Sequence, residues 1–251
     1  MHFHLPKPLH GWRAFAGEVA IIVLGVLIAL GGEQLVEHFH QRSQLREAEQ
    51  GMVAELRDDD LPQAYTRAAI YNCYADQLDK IENAVASGDR AKAESLARAY
   101  HPVIRTWDEE AWKAAMNSQV LVSAGARRMT AWSSPYVMIP ALANRSDEEQ
   151  QELPHLWARV GGTGPLSTEQ QDRMFDVVSL MRRHNQAMAG ASLVLMRQEA
   201  RIGLTLTGPE KAALLAEARK TFGDCTRQPS PDRLNMKSQL AAGDEAALGR
   251  R

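Results

Sequence analysis

Glu152 and His155 stand three residues apart, which sets a carboxylate and an imidazole on one helical face, half of a carboxylate-bridged di-iron centre. Such a centre needs a second pair, and Glu37-x-x-His40 is the other match. That pair adjoins an apolar run and Pro154 interrupts the first, so both read as solvated surface groups. His2, His4 and His10 could ligate a metal together, yet three histidines in a short leader also suit a headgroup layer. His184 falls in the seam of a long helix and is expected to be a satisfied core histidine. Gly161-Gly162-Thr163-Gly164 has the glycine content of a phosphate cradle but no Lys-Ser or Lys-Thr pair after it and no strand before it. It reads as an ordinary loop. Asp58-Asp59-Asp60 could hold a cation, although a solvated helix end explains it with less. No G-x-S-x-G occurs, and neither cysteine has a His and Asn neighbour that would activate a thiol. These residues assign no catalytic group, no metal and no cofactor, and the chain is not read as an enzyme. A site assembled from distant residues stays open as a rival.

Twenty-nine Lys and Arg against thirty-one Asp and Glu leave a formal charge of -2, without the basic field that nucleic-acid binding requires. Nucleic acid is therefore excluded as a partner. With 45% hydrophobic and only 6% aromatic residues, and few strand-like runs, the composition points to helix. Two cysteines, Cys73 and Cys225, are too few for a disulfide scaffold and form no C-x-x-C pair. In an oxidising compartment they would be joined, and two separately buried thiols are the alternative.

The elements that must position these groups begin with a membrane segment. Val19 to Gly32 reads VAIIVLGVLIALGG between Glu18 and Glu33. Taken from Ala14, the run reaches about 28 Å, close to the hydrocarbon thickness of a bilayer. It is apolar all round, which argues against a buried amphipathic helix. Trp12 and Arg13 mark the interface, and Glu18 lies one turn inside it. A cleaved leader competes, because Lys7 and Arg13 form a basic region and Ala29-Leu30-Gly31 resembles a cleavage site. Lys7 and Arg13 before the run balance Arg42 and Arg46 after it, so charge does not orient the span. The short basic leader places the N-terminus in the cytoplasm and the chain after about residue 35 outside it, as in an uncleaved signal anchor. Gly25 and Ala29 make a small-xxx-small pair on a row continuing through Ile21 to Gly17, with Glu18 beside it. Another transmembrane helix, from a second copy or a different protein, would fit there.

The stretch GEVAIIVLGVLIAL, Gly17 to Leu30, resembles the N-terminal signature of an uncharacterised family of bacterial single-pass membrane proteins. In that family a Gly-Glu pair opens an apolar helix ending close to Gly-Ile-Leu-Ile-Ala-Leu, followed by a long charged helix. RSQLREAEQGMVAELRDDD at 42 to 60 is similar in character, and a weaker echo stands at Trp112 to Ser118. The family commonly carries Asn and Trp after the apolar run, where this chain has GGEQLVEHF. The resemblance covers about a fifth of the chain; it implies an anchor and no activity.

Beyond the anchor, Leu45, Ala48, Met52 and Leu56 recur at three and four residues and predict an amphipathic helix over 36 to 59. Asp60, with Pro62 behind it, is expected to cap a second helix lined by Ile70, Tyr74, Leu78, Ile81 and Val85. Ser87-Gly88-Asp89 ends that helix and starts a third, which stops at His101-Pro102. Thr106-x-x-Glu109, Ser146-x-x-Glu149, Ser167-x-x-Gln170 and Thr207-x-x-Glu210 all fit the capping-box pattern. Met174, Met181, Met188, Leu195 and Ile202 repeat every seven residues and predict one long bundle helix with methionines in the core. Residues 133 to 165, with Pro135, Pro140, Pro154 and the glycine run, are expected to form short helices and loops.

The expected protein is all-α: an N-terminal transmembrane helix followed by an extracytoplasmic helical bundle. Its parts are a cytoplasmic leader at 1–13, the span at 14–36, a helical domain at 37–225 and a flexible tail at 226–251. Location, in the cytoplasmic membrane with the bundle outside, suggests an interaction or scaffold protein. A ligand-sensing module working through a membrane partner is the alternative, since about a dozen residues before the span cannot form an output domain.

Overall fold

The computed structural model describes residues 12–230 other than Ile104, and of Arg13 and Ala14 only the backbone. His2, His4, His10, the leader to residue 11 and the tail from 231 lie outside the described residues. Those described form nine α-helices and no strand.

Helix α1 runs unbroken from Trp12 to Ala54. No proline or glycine cap separates the apolar run from the charged one, so the two segments merge into one rod of about 65 Å. Its first part is the one helix among the described residues long and apolar enough to cross a membrane. The rod does not stop at the acidic triplet. Glu55–Asp60 continues as a π-helical turn, in which the Leu61 N–H reaches back to the Leu56 carbonyl, and leads directly into α2, Leu61–Ala69. Asp60 has helical backbone angles and caps nothing with its side chain, contrary to the expected break. Pro62 is tolerated because it falls in the first turn of α2.

Helix α3, Tyr71–Ala86, follows a bend at Ile70. The Ala69 carbonyl is taken there by the backbone N–H of Arg227 at 3.0 Å. The chain thus remains docked just beyond Cys225, and Thr226 is fully buried. Cys73 and Cys225 are joined by a disulfide, with Cα atoms 5.0 Å apart and 152 residues between them in sequence. Closing so long a loop is worth about 2–5 kcal/mol by the chain-entropy account. Reduction, or the Cys73→Ser/Cys225→Ser pair, is expected to lower the unfolding free energy by that amount while helical circular dichroism is retained. Equal denaturation midpoints with and without reductant would sink this expectation.

Helix α4, Arg90–Ala99, is capped by Asp89, which accepts from the Lys92 N–H at 3.0 Å. A strap, residues 100–103 and 105–109, is non-helical and leads to α5, Glu110–Asn117. Glu109 is the cap residue of α5 without a side-chain cap bond, so Thr106-x-x-Glu109 is not a capping box. A short 3-10 turn, Val120–Ala124, precedes α6, Ala126–Tyr136. Helix α7, Met138–Val160, is a 23-residue rod where the prolines predict short helices. Pro140 lies in its first turn and Pro154 on its exposed side. Leu153, Leu156 and Val160 are buried on the other side and hold the helix through the proline. Ser146-x-x-Glu149 therefore opens nothing; both residues are buried mid-helix.

Helices α8, Thr168–Arg201, and α9, Gly208–Phe222, do begin with reciprocal capping boxes, at Ser167/Gln170 and Thr207/Glu210. Helix α8 is the central post, packed against α2, α3, α6 and α7. Met174, Met181, Met188 and Leu195 are buried along it, so the methionines serve the core. Two large clusters make up most of the apolar core. One gathers Ile70, Tyr74, Leu78, Leu156 and Met181, and the other gathers Met52, Leu56, Leu121, Ile139 and Leu195. Between them, at matching heights on α2, α7 and α8, lie Arg67, Glu149 and Asn185.

Candidate functional site: a buried polar layer under the strap

Arg67 is fully buried. Its guanidinium donates to Asn185 Oδ1 at 2.9 Å and to Glu149 Oε1 at 3.1 Å, and its Cζ lies 5.1 Å from the centre of the Tyr74 ring. Asn185 in turn donates to the Tyr71 carbonyl at 3.0 Å. Every partner here is a side chain or carbonyl of a different helix, so the layer fixes the axial register of α2, α3, α7 and α8. A buried pair of this kind adds little net stability over apolar groups of the same shape, but losing one partner leaves the other charge uncompensated.

The strap closes one side of this layer. Val103 donates its N–H to Tyr74 Oη at 2.8 Å, Tyr74 donates to the His101 carbonyl at 3.4 Å, and Gln150 holds the Pro102 carbonyl at 3.3 Å. Arg105 sits on the strap with its Nε buried and unpartnered. Burial, and next the Arg67 charge, lower its pKa to about 10.

A second cluster lies where α1 passes into α2. The π-helical turn brings Glu55, Leu56 and Asp60 to the inside together, which an α-helical turn would not. Glu55 accepts from the Ala111 N–H at 2.9 Å. Asp60 and Glu199 are fully buried, and neither has a hydrogen-bond partner for either carboxyl oxygen. Burial pushes Asp60 up to about 8, with Glu55 and Asp108 adding repulsion and the nearby Asp108 backbone offsetting part of it. Burial pushes Glu199 up to about 9, with Asp60 adding repulsion and Arg57 opposing it. Both are therefore neutral acids at pH 7. Burial and then Glu55 also raise the Tyr136 hydroxyl. Arg57 has a partner on the outside, Glu210 at 2.5 Å, and that contact holds Glu210 down at about 2.

These are the residues that the sequence pattern conceals. Asn185, Ser192 and Glu199 follow Val178 at seven-residue intervals beside the methionine seam, and all three are fully buried. A polar heptad line alongside an apolar one is the available signal. Asp60 gives none, because a triplet of aspartates ordinarily faces water.

The candidates drawn from spacing alone are not brought together. Glu152 is half-buried, His155 is exposed, and Glu37 and His40 are exposed on α1. No group of three or more metal-ligating side chains forms among the described residues. His184 is half-buried and not in the core, with Nδ1 3.9 Å from a carboxyl oxygen of Glu148. The glycine run curls around a cation of its own chain. Arg90 donates to the carbonyls of Val160, Gly161 and Gly164 at 2.7–3.0 Å and to Gln170 Oε1 at 2.6 Å. Carbonyls and not N–H groups point inward, the wrong polarity for a phosphate cradle. A side chain at Gly162, where φ is 123°, would meet Arg90 Nη1 at 3.1 Å. Gly25, Glu18 and Ala29 lie on the exposed rod, and nothing stands within 4 Å of a Cβ placed at Gly25.

No protein-family model, curated protein or solved structure matches this chain.

Proposed function

We propose that this protein is a membrane-tethered interaction module, non-enzymatic, with its helical bundle on the extracytoplasmic side of a cytoplasmic membrane. The observation that carries the reading is the continuity of α1. One rod joins the apolar run to Met52 and Leu56, both fully buried, so the bundle and the span move as one body. An anchor that only retained a domain would need no such rigid connection. The Cys73–Cys225 disulfide supports an oxidising compartment for the bundle. Kinship with the single-pass family rests on the Gly17 to Leu30 signature and on the charged stretch at 42 to 60.

The partner element under this reading is the span. Gly25 and Ala29 would let a second helix, from another copy or another protein, approach closely, with Glu18 beside the contact. A transmembrane-association reporter carrying residues 12–36 is expected to lose signal with Gly25→Leu and to keep it with Val26→Leu. Equal signals, or none above a monomeric control, would leave the span a passive anchor. Topology is checked separately. A reporter fused at Arg251 should be active only if it folds outside the cytoplasm, and a mature chain starting near Gly32 would show that the leader is cleaved.

A sensing role has one observation in its favour. The neutral acids Asp60 and Glu199 sit at the inner end of the rod that would enter the bilayer, so a change in their charge acts directly on α1.

A further inference from the structure

Between the apolar run and the bundle, α1 has an exposed neck of about a dozen residues. Its two faces differ. Leu35, Phe39, Arg42 and Arg46 fall at i, i+4, i+7 and i+11, one helical face, and all four are exposed. Leu35 and Phe39 are 60% and 65% exposed, a large apolar area for a segment outside any core. Glu33 and Glu37 lie on the opposite face, where Glu37 accepts from Gln41 at 2.8 Å. Arg42 and Arg46 have no carboxylate within ion-pair distance among the described residues. The basic-apolar face continues onto the bundle. Phe39, Arg42 and Arg46 line one groove with Ser123 of the 3-10 turn and with Glu49, which is paired to Arg128 at 2.5 Å. Val122 beside them is 72% exposed, and Arg127 is exposed too.

We infer that this face of the neck, together with the Val122 turn, rests on an anionic lipid surface, so that α1 crosses the bilayer tilted and the bundle leans onto the headgroups. This rests on the reading that residues 14–32 span the membrane. Charge complementarity selects the occupant. Apolar side chains flanked by unpaired arginines, with Glu33 and Glu37 turned to the far side and the Glu49 charge taken up by Arg128, match a headgroup layer with acyl chains beneath it. A second copy docked face to face would instead oppose Arg42 and Arg46 to themselves. With Phe39 seated at the boundary, about 36 Å of rod from Phe15 meets a core of roughly 30 Å, which takes a tilt of roughly 35°, inside the observed range. Such a tilt lowers one face of the neck and lifts the other.

The disulfide leaves no free thiol, so a single added cysteine can carry a spin label in the full chain. Labels at Val23→Cys, Glu37→Cys and Phe39→Cys, in nanodiscs of neutral or anionic lipid, report depth through oxygen and nickel-chelate accessibility. The expected result in anionic lipid is burial at 39 and water at 37. Arg42→Glu/Arg46→Glu should return position 39 to water without moving position 23, since each arginine biases the bound state by about fivefold. Water at 39 in both lipids would overturn the inference, as would burial of 37 and 39 alike. Spin–spin broadening at 39 would assign the face to a second copy and overturn it as well. Water at position 23 would mark failure of the span itself, a different result from any of these.

Discussion

The bundle is expected to lose stability as pH rises from about 4 to about 9, the reverse of the behaviour of most carboxylate-rich proteins. Asp60 and Glu199 carry the effect. In the unfolded chain both ionise in the usual carboxylate range near 4. In the folded chain burial holds their protons to about 8 and about 9. Folding therefore takes up protons between these limits. The stabilisation is fully present below the unfolded value, declines as pH rises, and is gone once the folded groups ionise. Every neighbour that acts on the pair matters to the size. Glu55, Asp59 and Asp108 raise Asp60, and Arg57 opposes the rise of Glu199. The two acids repel each other and titrate as a pair. Asp60→Asn/Glu199→Gln stays neutral at every pH. At pH 8 it should be the more stable of the two, since every tenfold change in proton affinity on folding that the parent must give up to ionise works against it by about 1.4 kcal/mol. At pH 4 the two should coincide. Urea midpoints measured across this range decide the matter, and parallel curves for parent and variant would remove the pair as the cause.

Glu149→Ala is expected to cost about 3–5 kcal/mol, because it leaves the fully buried Arg67 guanidinium without its counter-charge. Arg105 aggravates the loss, since its charge already lies within reach of Arg67. Arg67→Met alone strands Glu149 instead and should cost a similar amount. The double variant Arg67→Met/Glu149→Leu removes both charges and is expected to recover most of the loss. A double-mutant cycle on unfolding free energies measures the coupling. Singles costing under about 1 kcal/mol would mean that water reaches the pair, contrary to its burial.

Both effects arise at places where tertiary structure departs from local pattern. The apolar run, the seven-residue methionine repeat and the boxes at Ser167 and Thr207 are local properties, set by transfer free energy, helical period and the satisfaction of terminal N–H groups. They are legible for that reason. The boxes at Thr106 and Ser146 match the same pattern and do not exist. Ser146 and Glu149 are held inside α7 by burial and by Arg67, a residue 82 positions away for Glu149. Pro154 predicts a break that the packing of Leu153, Leu156 and Val160 overrides.

By itself the sequence determined an all-helical chain with one apolar segment of membrane-spanning length, since periodicity and hydropathy are sums over neighbours. Only the tertiary structure decided that α1 runs through the acidic triplet. It turned Asp60 inward, wrapped the glycine loop around Arg90, and set Arg67, Glu149 and Asn185 at one height between the two large apolar clusters. Each of those outcomes depends on which distant group meets a polar side chain once water has left, and spacing along the chain carries no record of that meeting.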